Sequence, residues 1–414
     1  MRKALLIILL HMGTIPAQDV ADPVTILLAK NRDILAARKS HEAALENVKV
    51  FGVLPDPMVE SSLFLKPLET RNGPMEGQVM VGQRFPLWGK LKRERKVAQL
   101  KAEMAYLTLE QKKIGTVFQM RKGWENYVRL KNSLDILERF RHELDAFRSV
   151  SLTQYSTGTG VTQHPILKLQ IEISLVESQI NSLQGDLESV VNNLQSLFDG
   201  SFSPDLFAES RSALIPPNPT EFWMNMAKGT NPSYLKAQRE LKVAHLQHEL
   251  AVRKNYPDLV TGVTYTAVGP TDLAGAVSSG ADALGLKAGL NLPIWIGRNR
   301  ARIESSRLGI KSREELVKAV WNQIEDDIRS TEADLSEIEK TFLVYQGKLV
   351  QESEQLLSSA FSAYETGKVS FLDLLDSERM VVKVRLDFER IDAERRIASA
   401  RMLKAVGLIG PEEE

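Results

Sequence analysis

The chain contains no cysteine. Disulfides, thiolate metal sites, a cysteine nucleophile and a lipid anchor on an N-terminal cysteine are thereby excluded. It also has no net charge: 53 basic side chains balance 53 acidic ones, leaving no electrostatic reason to expect a nucleic-acid partner. Beyond the extreme N-terminus no stretch approaches 18 consecutive apolar residues, so any membrane crossing by the mature chain has to be made by a closed β-barrel. Proline is missing between Pro86 and Pro165 and again between Pro293 and Pro411. Since proline costs about 3 kcal/mol inside a helix, runs of this length suit long helices. No catalytic set is present either. Gly158-x-Gly160 lacks the rest of a phosphate-binding loop. His245 and His248 share a helix face with no third metal ligand nearby in sequence, and read as surface residues. The expectation is a protein that is not an enzyme and has no cofactor or resident metal.

What is present begins with a leader. Arg2 and Lys3 precede an apolar core, Ala4 to Leu10, and the small-residue stretch Thr14–Ala17 offers a cleavage site before Gln18. Residues 1–17 therefore read as a signal peptide. The remainder is duplicated. Pro55-Asp56, Pro86-Leu87-Trp88-Gly89 and Tyr155-Ser156-Thr157-Gly158 recur in the same order as Pro257-Asp258, Pro293-Ile294-Trp295-Ile296-Gly297 and Tyr364-Glu365-Thr366-Gly367, 202 to 209 residues later. A first repeat over 18–202 and a second over 220–414 flank a proline-rich linker, 203–219.

Each repeat opens with a helix pair, 24–49 or 220–254. Strands follow: 58–66 and 78–85 in the first copy, 259–268 and 284–292 in the second. Leu284, Leu286, Ala288, Leu290 and Leu292 alternate with Gly285, Lys287, Gly289 and Asn291, giving one apolar and one wet face over about nine residues, the length of a transmembrane strand. Trp88 and Trp295 sit at the strand ends, where an aromatic belt at a bilayer interface is expected; the alternative for each is burial in a core. Apolar residues then recur at steps of 3 and 4, through Trp124, Leu130, Leu137 and Leu144 in one copy and Ile324, Ile328, Leu335 and Phe342 in the other, a heptad-like seam. A helix from Lys90 to Val150 would be about 90 Å long. Each long helix should end at its Tyr-x-x-Gly, with Gly158 and Gly367 as left-handed caps and a return helix from near Thr162 or Ser370. Four strands cannot close a barrel, so the chain has to oligomerise; three copies would supply twelve strands, and two or four also satisfy the count.

In these features the chain resembles the TolC-like outer-membrane efflux proteins, over roughly 22–408. The clearest motif is the stretch Tyr364–Asp376, in which two aspartates, Asp373 and Asp376, follow the glycine. The resemblance implies a mainly α fold with a small β part: coiled-coil hairpins and four transmembrane strands per chain, joined as a homotrimeric α-barrel and β-barrel. It implies a channel in the outer membrane, surrounded by its lipid, with a helical tunnel in the periplasm. It also implies a periplasmic adaptor and a proton-driven inner-membrane pump as partners, and drugs or metal ions as cargo. Asp373 and Asp376, one turn apart, would stack as two carboxylate rings in a periplasmic gate, or else cap the return helix. Tyr155, Gly158, Tyr364, Gly367 and Lys368 are the candidates for adaptor contact or tip geometry. The first tip has His164 where members often carry an acid, so the gate is expected from the second tip. Two alternatives stay open: the exit channel of a type I protein secretion system, and a periplasmic structural coiled coil with no membrane part.

Overall fold

The computed structural model describes residues 22–157, 163–207, 211–272, 274 and 278–410. The leader, Gly158 and Thr162 lie outside them. The first half runs α1 (Pro23–Lys30), α2 (Arg32–Val50), β1 (Met58–Thr70), β2 (Gly73–Phe85), α3 (Lys90–Ser156) and α4 (Gln163–Leu197). After a 3₁₀ turn at Pro204–Phe207, the second half runs α5 (Thr220–Thr230), α6 (Pro232–Arg253), β3 (Leu259–Val268), β4 (Ala283–Leu290), α7 (Ile296–Val344), α8 (Val350–Glu365) and α9 (Phe371–Val406). The order helix–helix–strand–strand–helix–helix thus occurs twice, with the long helix of the second half divided into α7 and α8.

A pair of asparagines shows how local chemistry repeats with it. Asn31 ends α1 and caps α2, its Oδ1 accepting from the Ile34 amide at 3.1 Å while its Nδ2 donates to the Leu197 carbonyl at 2.9 Å. Asn231 does the same between α5 and α6, accepting from the Ser233 amide at 2.8 Å and donating to the Ala405 carbonyl at 2.7 Å. Both are buried, and each ties its helix pair to the end of its own return helix. Asparagine suits this place because one side chain satisfies a helix N–H and an orphan carbonyl together.

The helices form a wall rather than a globule. Beside the sheet the neighbours are α2–α3–α6–α7; farther along they are α4–α3–α9 with α7 and then α8. α3 has 67 residues, about 100 Å at 1.5 Å per residue. It is held by the expected seam: Leu134, Leu137, Phe140 and Leu144 are buried against Leu169, Ile173, Val176, Ile180 and Leu375. A second cluster stacks Trp124 on Phe207 at 4.4 Å and adds Leu27, Phe198 and Phe202, so the end of α4 and the start of the inter-repeat segment pack tightly. Large side chains buried this way contribute roughly 1.5–3 kcal/mol each. The second long helix departs from regularity: a wide π-turn, Tyr345–Leu349, separates α7 from α8. Gly347 weakens the helix there, and the extra residue in the turn rotates the seam that follows.

The strands make one antiparallel sheet in the order β1-β2-β3-β4. β1 and β2 outrun the expected 58–66 and 78–85 because only Arg71 and Asn72 separate them, and a register shift between Leu63 and Leu68 obscures their alternation. β4 stops at Leu290, two residues early, because the Asn291 side chain turns back to accept from the Asp258 amide. Among the described residues, no helix is long and apolar enough to cross a membrane.

Candidate functional site

Register sorts the sheet into two faces. Val59, Val81, Val263 and Leu286 align across the four strands, and so do Ser61, Val79, Tyr265 and Leu284. The other face carries Glu60, Met80, Thr264 and Gly285 in one row and Ser62, Gln78, Thr266 and Ala283 in the next. On the apolar face Leu63, Leu284 and Leu286 are 81%, 77% and 89% exposed. Such a face in water is costly; in hydrocarbon it is at home. β1 and β4 are open edges, with unpaired backbone groups that a second chain can satisfy.

Below the strands a buried junction joins the halves. Asp258, just before β3, is 1% exposed and accepts from Arg84 Nη2 at 2.5 Å, Lys90 Nζ at 2.7 Å and the Leu87 amide at 3.3 Å. Lys90 also donates to the Tyr256 carbonyl at 2.8 Å. Burial alone would raise the Asp258 carboxyl; Lys90 and Arg84 outweigh it and hold the group below the usual carboxylate range. Trp88 Nε1 donates to the Pro257 carbonyl at 3.0 Å, and the Trp88 carbonyl accepts from Arg253 at 2.6 Å. The Pro257-Asp258 landmark of the second copy and the Pro86–Trp88 landmark of the first are therefore one structural unit. Trp88 and Trp295 are both exposed at the strand ends, not buried in a core.

Midway along the wall the inter-repeat segment is clamped by charge. Glu125 of α3, fully buried, accepts from Arg211 at 2.8 Å and from the Ser212 amide at 2.8 Å. Arg211 reaches Asp392 of α9 at 3.0 Å, and Arg396 returns to the Ser212 carbonyl at 2.9 Å. Nothing in the sequence singled out Glu125, because its partner is 86 residues away.

At the far end, α8 closes in a Schellman turn. Gly367 has φ +73°, its amide donates to the Tyr364 carbonyl at 2.9 Å, and the Lys368 amide donates to the Ala363 carbonyl at 2.8 Å. The Tyr364 ring lies 6.0 Å from that of Phe371, which meets Phe147 at 5.5 Å. Tyr155 is exposed on the first tip, near the end of α3; Gly158 lies outside the described residues. Asp373 and Asp376 differ in environment. Asp373 forms a capping box with Ser370: its carboxylate accepts from the Ser370 amide at 3.0 Å and hydroxyl at 2.7 Å, while Ser370 Oγ accepts from the Asp373 amide at 3.3 Å. The Ser370 bonds hold the Asp373 carboxyl below its ordinary value. Asp376 is 68% exposed with a loose contact to Arg379 at 3.5 Å, and Arg379 is mainly committed to Glu172 of α4. Two residues on, Glu378 is half-buried beside Glu143 of α3. Burial first, then Glu143, push its carboxyl up to about 8, against the pull of Arg385, whose own ion pair is Glu354 of α8 at 2.9 Å. His245 is exposed, and His248 Nδ1 sits 2.9 Å from Ser306 Oγ.

No protein-family model and no curated protein matches the sequence. Solved structures do. A membrane protein from Pseudomonas aeruginosa superposes with a TM-score of 0.79 at 16% identity, covering 94% of this chain and 94% of that one. The MtrE outer membrane channel of Neisseria gonorrhoeae, in its open state, gives 0.75 at 16% identity over 93% of this chain and 88% of that one. The outer membrane protein VceC of Vibrio cholerae gives 0.75 at 15% identity over 94% and 96%. The likeness spans nearly the whole chain and is one of fold: duplicated helical hairpins carrying a four-stranded sheet, as expected of a TolC-like chain.

Proposed function

We propose that this protein is the outer-membrane channel subunit of a tripartite efflux system: a passive conduit that carries small molecules outward from an inner-membrane pump through a periplasmic adaptor. The observation that carries the reading is the sheet, apolar on one face, polar on the other and open at both edges, continuous with a helical wall about 100 Å long at 1.5 Å per residue. A four-stranded sheet of this kind is a fraction of a barrel, and three copies make the twelve-stranded closure. The wall is open at its sides as well. Leu167, Ile171 and Leu175 of α4 are exposed along one edge, and Leu343, Val344, Leu356 and Phe361 of α7 and α8 along the other. A neighbouring copy buries both stripes. A periplasmic coiled coil without a membrane part would leave Leu63, Leu284 and Leu286 in water.

Within this conduit the periplasmic gate is formed by Asp376, with Asp373 shaping the turn that carries it. Tyr155, Gly158, Tyr364, Gly367 and Lys368 form the surface offered to the adaptor, and Trp88 and Trp295 mark the inner bilayer interface. The deciding experiment uses purified full-length protein in planar bilayers. Discrete conductance steps, together with oligomer bands that collapse on boiling, are the expected result. A protein that stays water-soluble, monomeric and electrically silent overturns the proposal.

A further inference from the structure

Directly beneath the strands, α3 and α7 begin with cations where helix electrostatics favour anions. Segments 90–96 and 298–302 contain eight basic residues and one acid, Glu94, in a chain whose totals are 53 and 53. Neither helix has an acidic residue in its first turn. Cations at a helix N-terminus oppose the macrodipole, so helix stability does not account for them. Three of the eight have internal partners: Lys90 binds Asp258, Arg93 binds Glu249, and Arg302 meets Asn299. Lys92, Arg95, Lys96, Arg298 and Arg300 are exposed and form no ion pair with any described residue.

An apolar collar runs from the sheet down to this belt, where Gly52 packs against Arg95 and Leu91. Phe51, Val53 and Leu54 are exposed on the segment leading into β1, and Leu292, Ile294 and Trp295 on the segment leaving β4. From the strands downward the surface thus passes from the apolar sheet face, through a collar that includes Phe51 and Trp295, to a cationic belt. Hydrocarbon, interface and phosphate follow one another in the same order through one leaflet of a bilayer.

We propose that this belt binds anionic phospholipid headgroups, of the phosphatidylglycerol class, in the leaflet facing the helical wall. Charge complementarity selects the ligand: several unpaired cations beside a hydrophobic collar attract anionic lipid over zwitterionic lipid. Continuity with the apolar sheet face sets the depth. The inference rests on the reading that the sheet lies in a membrane.

The test compares insertion of the full chain into vesicles of phosphatidylcholine alone and of phosphatidylcholine with one-third phosphatidylglycerol, at low and high salt. The wild type is expected to favour the anionic vesicles by roughly fivefold for each cation at the surface, with the preference fading as salt screens it. Replacing Lys92, Lys96, Arg298 and Arg300 together by glutamine cuts the preference to the roughly fivefold that Arg95 alone supplies and leaves insertion into phosphatidylcholine as in the wild type. The same change at Lys131, Lys168, Lys340 and Lys348, remote from the strands, leaves the preference intact. Equal insertion of the wild type into both vesicles overturns the inference while the channel reading stands. A salt-insensitive preference does the same, and so does a neutralised variant that keeps the preference and alters only ion selectivity. Failure to insert into either vesicle overturns the channel reading itself. If the fourfold variant does not fold, the wild-type lipid and salt comparison still decides.

Discussion

One turn of helix separates Asp373 from Asp376, and their roles divide. Asp373 is engaged by Ser370 at the start of α9, whereas Asp376 is exposed with only a loose contact to Arg379, so on the proposed reading Asp376 is the one that meets ions. Asp376→Ala is expected to raise single-channel conductance and weaken block by divalent cations, whereas Ser370→Ala, which removes the cap, costs about 1 kcal/mol and speeds amide exchange in the first turn of α9. Unchanged conductance and block in Asp376→Ala would remove the gate from this residue. Two other carboxyls respond to pH in opposite senses. Glu378 holds its proton up to about 8, so between the ordinary carboxylate range and that value the folded state binds more protons than the unfolded one. Stability therefore falls as pH rises through this window, and Glu378→Gln should flatten the fall in a thermal-melt series. Asp258 is held below its ordinary value, so its contribution is present at neutral pH and lost only as acid carries it through that lowered value. Asp258→Ala strands Lys90 and should cost about 3–5 kcal/mol, seen as a drop in melting temperature.

Elements here are long and their ends are few, so each end carries weight. Gly367 and Gly407 both close helices with positive φ, +73° and +97°. Their surroundings differ. A Cβ on Gly367 meets nothing within 4 Å, whereas one on Gly407 would lie 2.6 Å from Asn231 Cα and 2.9 Å from the Thr230 carbonyl oxygen. Gly367→Ala should cost only about 1 kcal/mol, the penalty of the left-handed region, and leave assembly intact. Gly407→Ala must also displace the Asn231 junction, and a distinctly larger fall in melting temperature is expected. Equal falls would show that the close approach at Gly407 is unimportant. The π-turn at Tyr345–Leu349 lies in the middle of a helical run, where proline-free spacing alone indicated a continuous helix.

At the scale of the molecule a single chain is an incomplete object. Its sheet has two open edges, its helical wall has two apolar sides, and the absence of cysteine makes it well suited to site-directed crosslinking. Cysteines introduced along β1 and along β4 should crosslink between copies and give a ladder ending at three. Ile171→Glu, placing a charge on the α4 stripe, should shift the proposed oligomer toward monomer by at least tenfold in dissociation constant. A ladder ending at two or four would replace the trimer, and an unaffected assembly would remove α4 from the interface.

Periodicity and punctuation were enough to indicate the duplication, the long helices, the seam through Leu134, Leu137 and Leu144, and the apolar face through Leu284 and Leu286. These follow from neighbours a few residues apart and from where proline and glycine are allowed. The start of α9 at Ser370 was legible for the same reason. The ladder register was not, because the shift between Leu63 and Leu68 is set by pairing with another strand. Nor were the partners of Asp258 and Glu125, or the raised carboxyl of Glu378. Each depends on groups far away in sequence: Asp258 reaches Lys90 across 168 positions, and Glu125 reaches Arg211 across 86. Local sequence determined which elements form; the ends of β1, β2 and β4 and the break between α7 and α8 were set by partners in space. Only the tertiary structure decided which charges meet, because the energy of a buried charge is settled by whatever stands next to it in space.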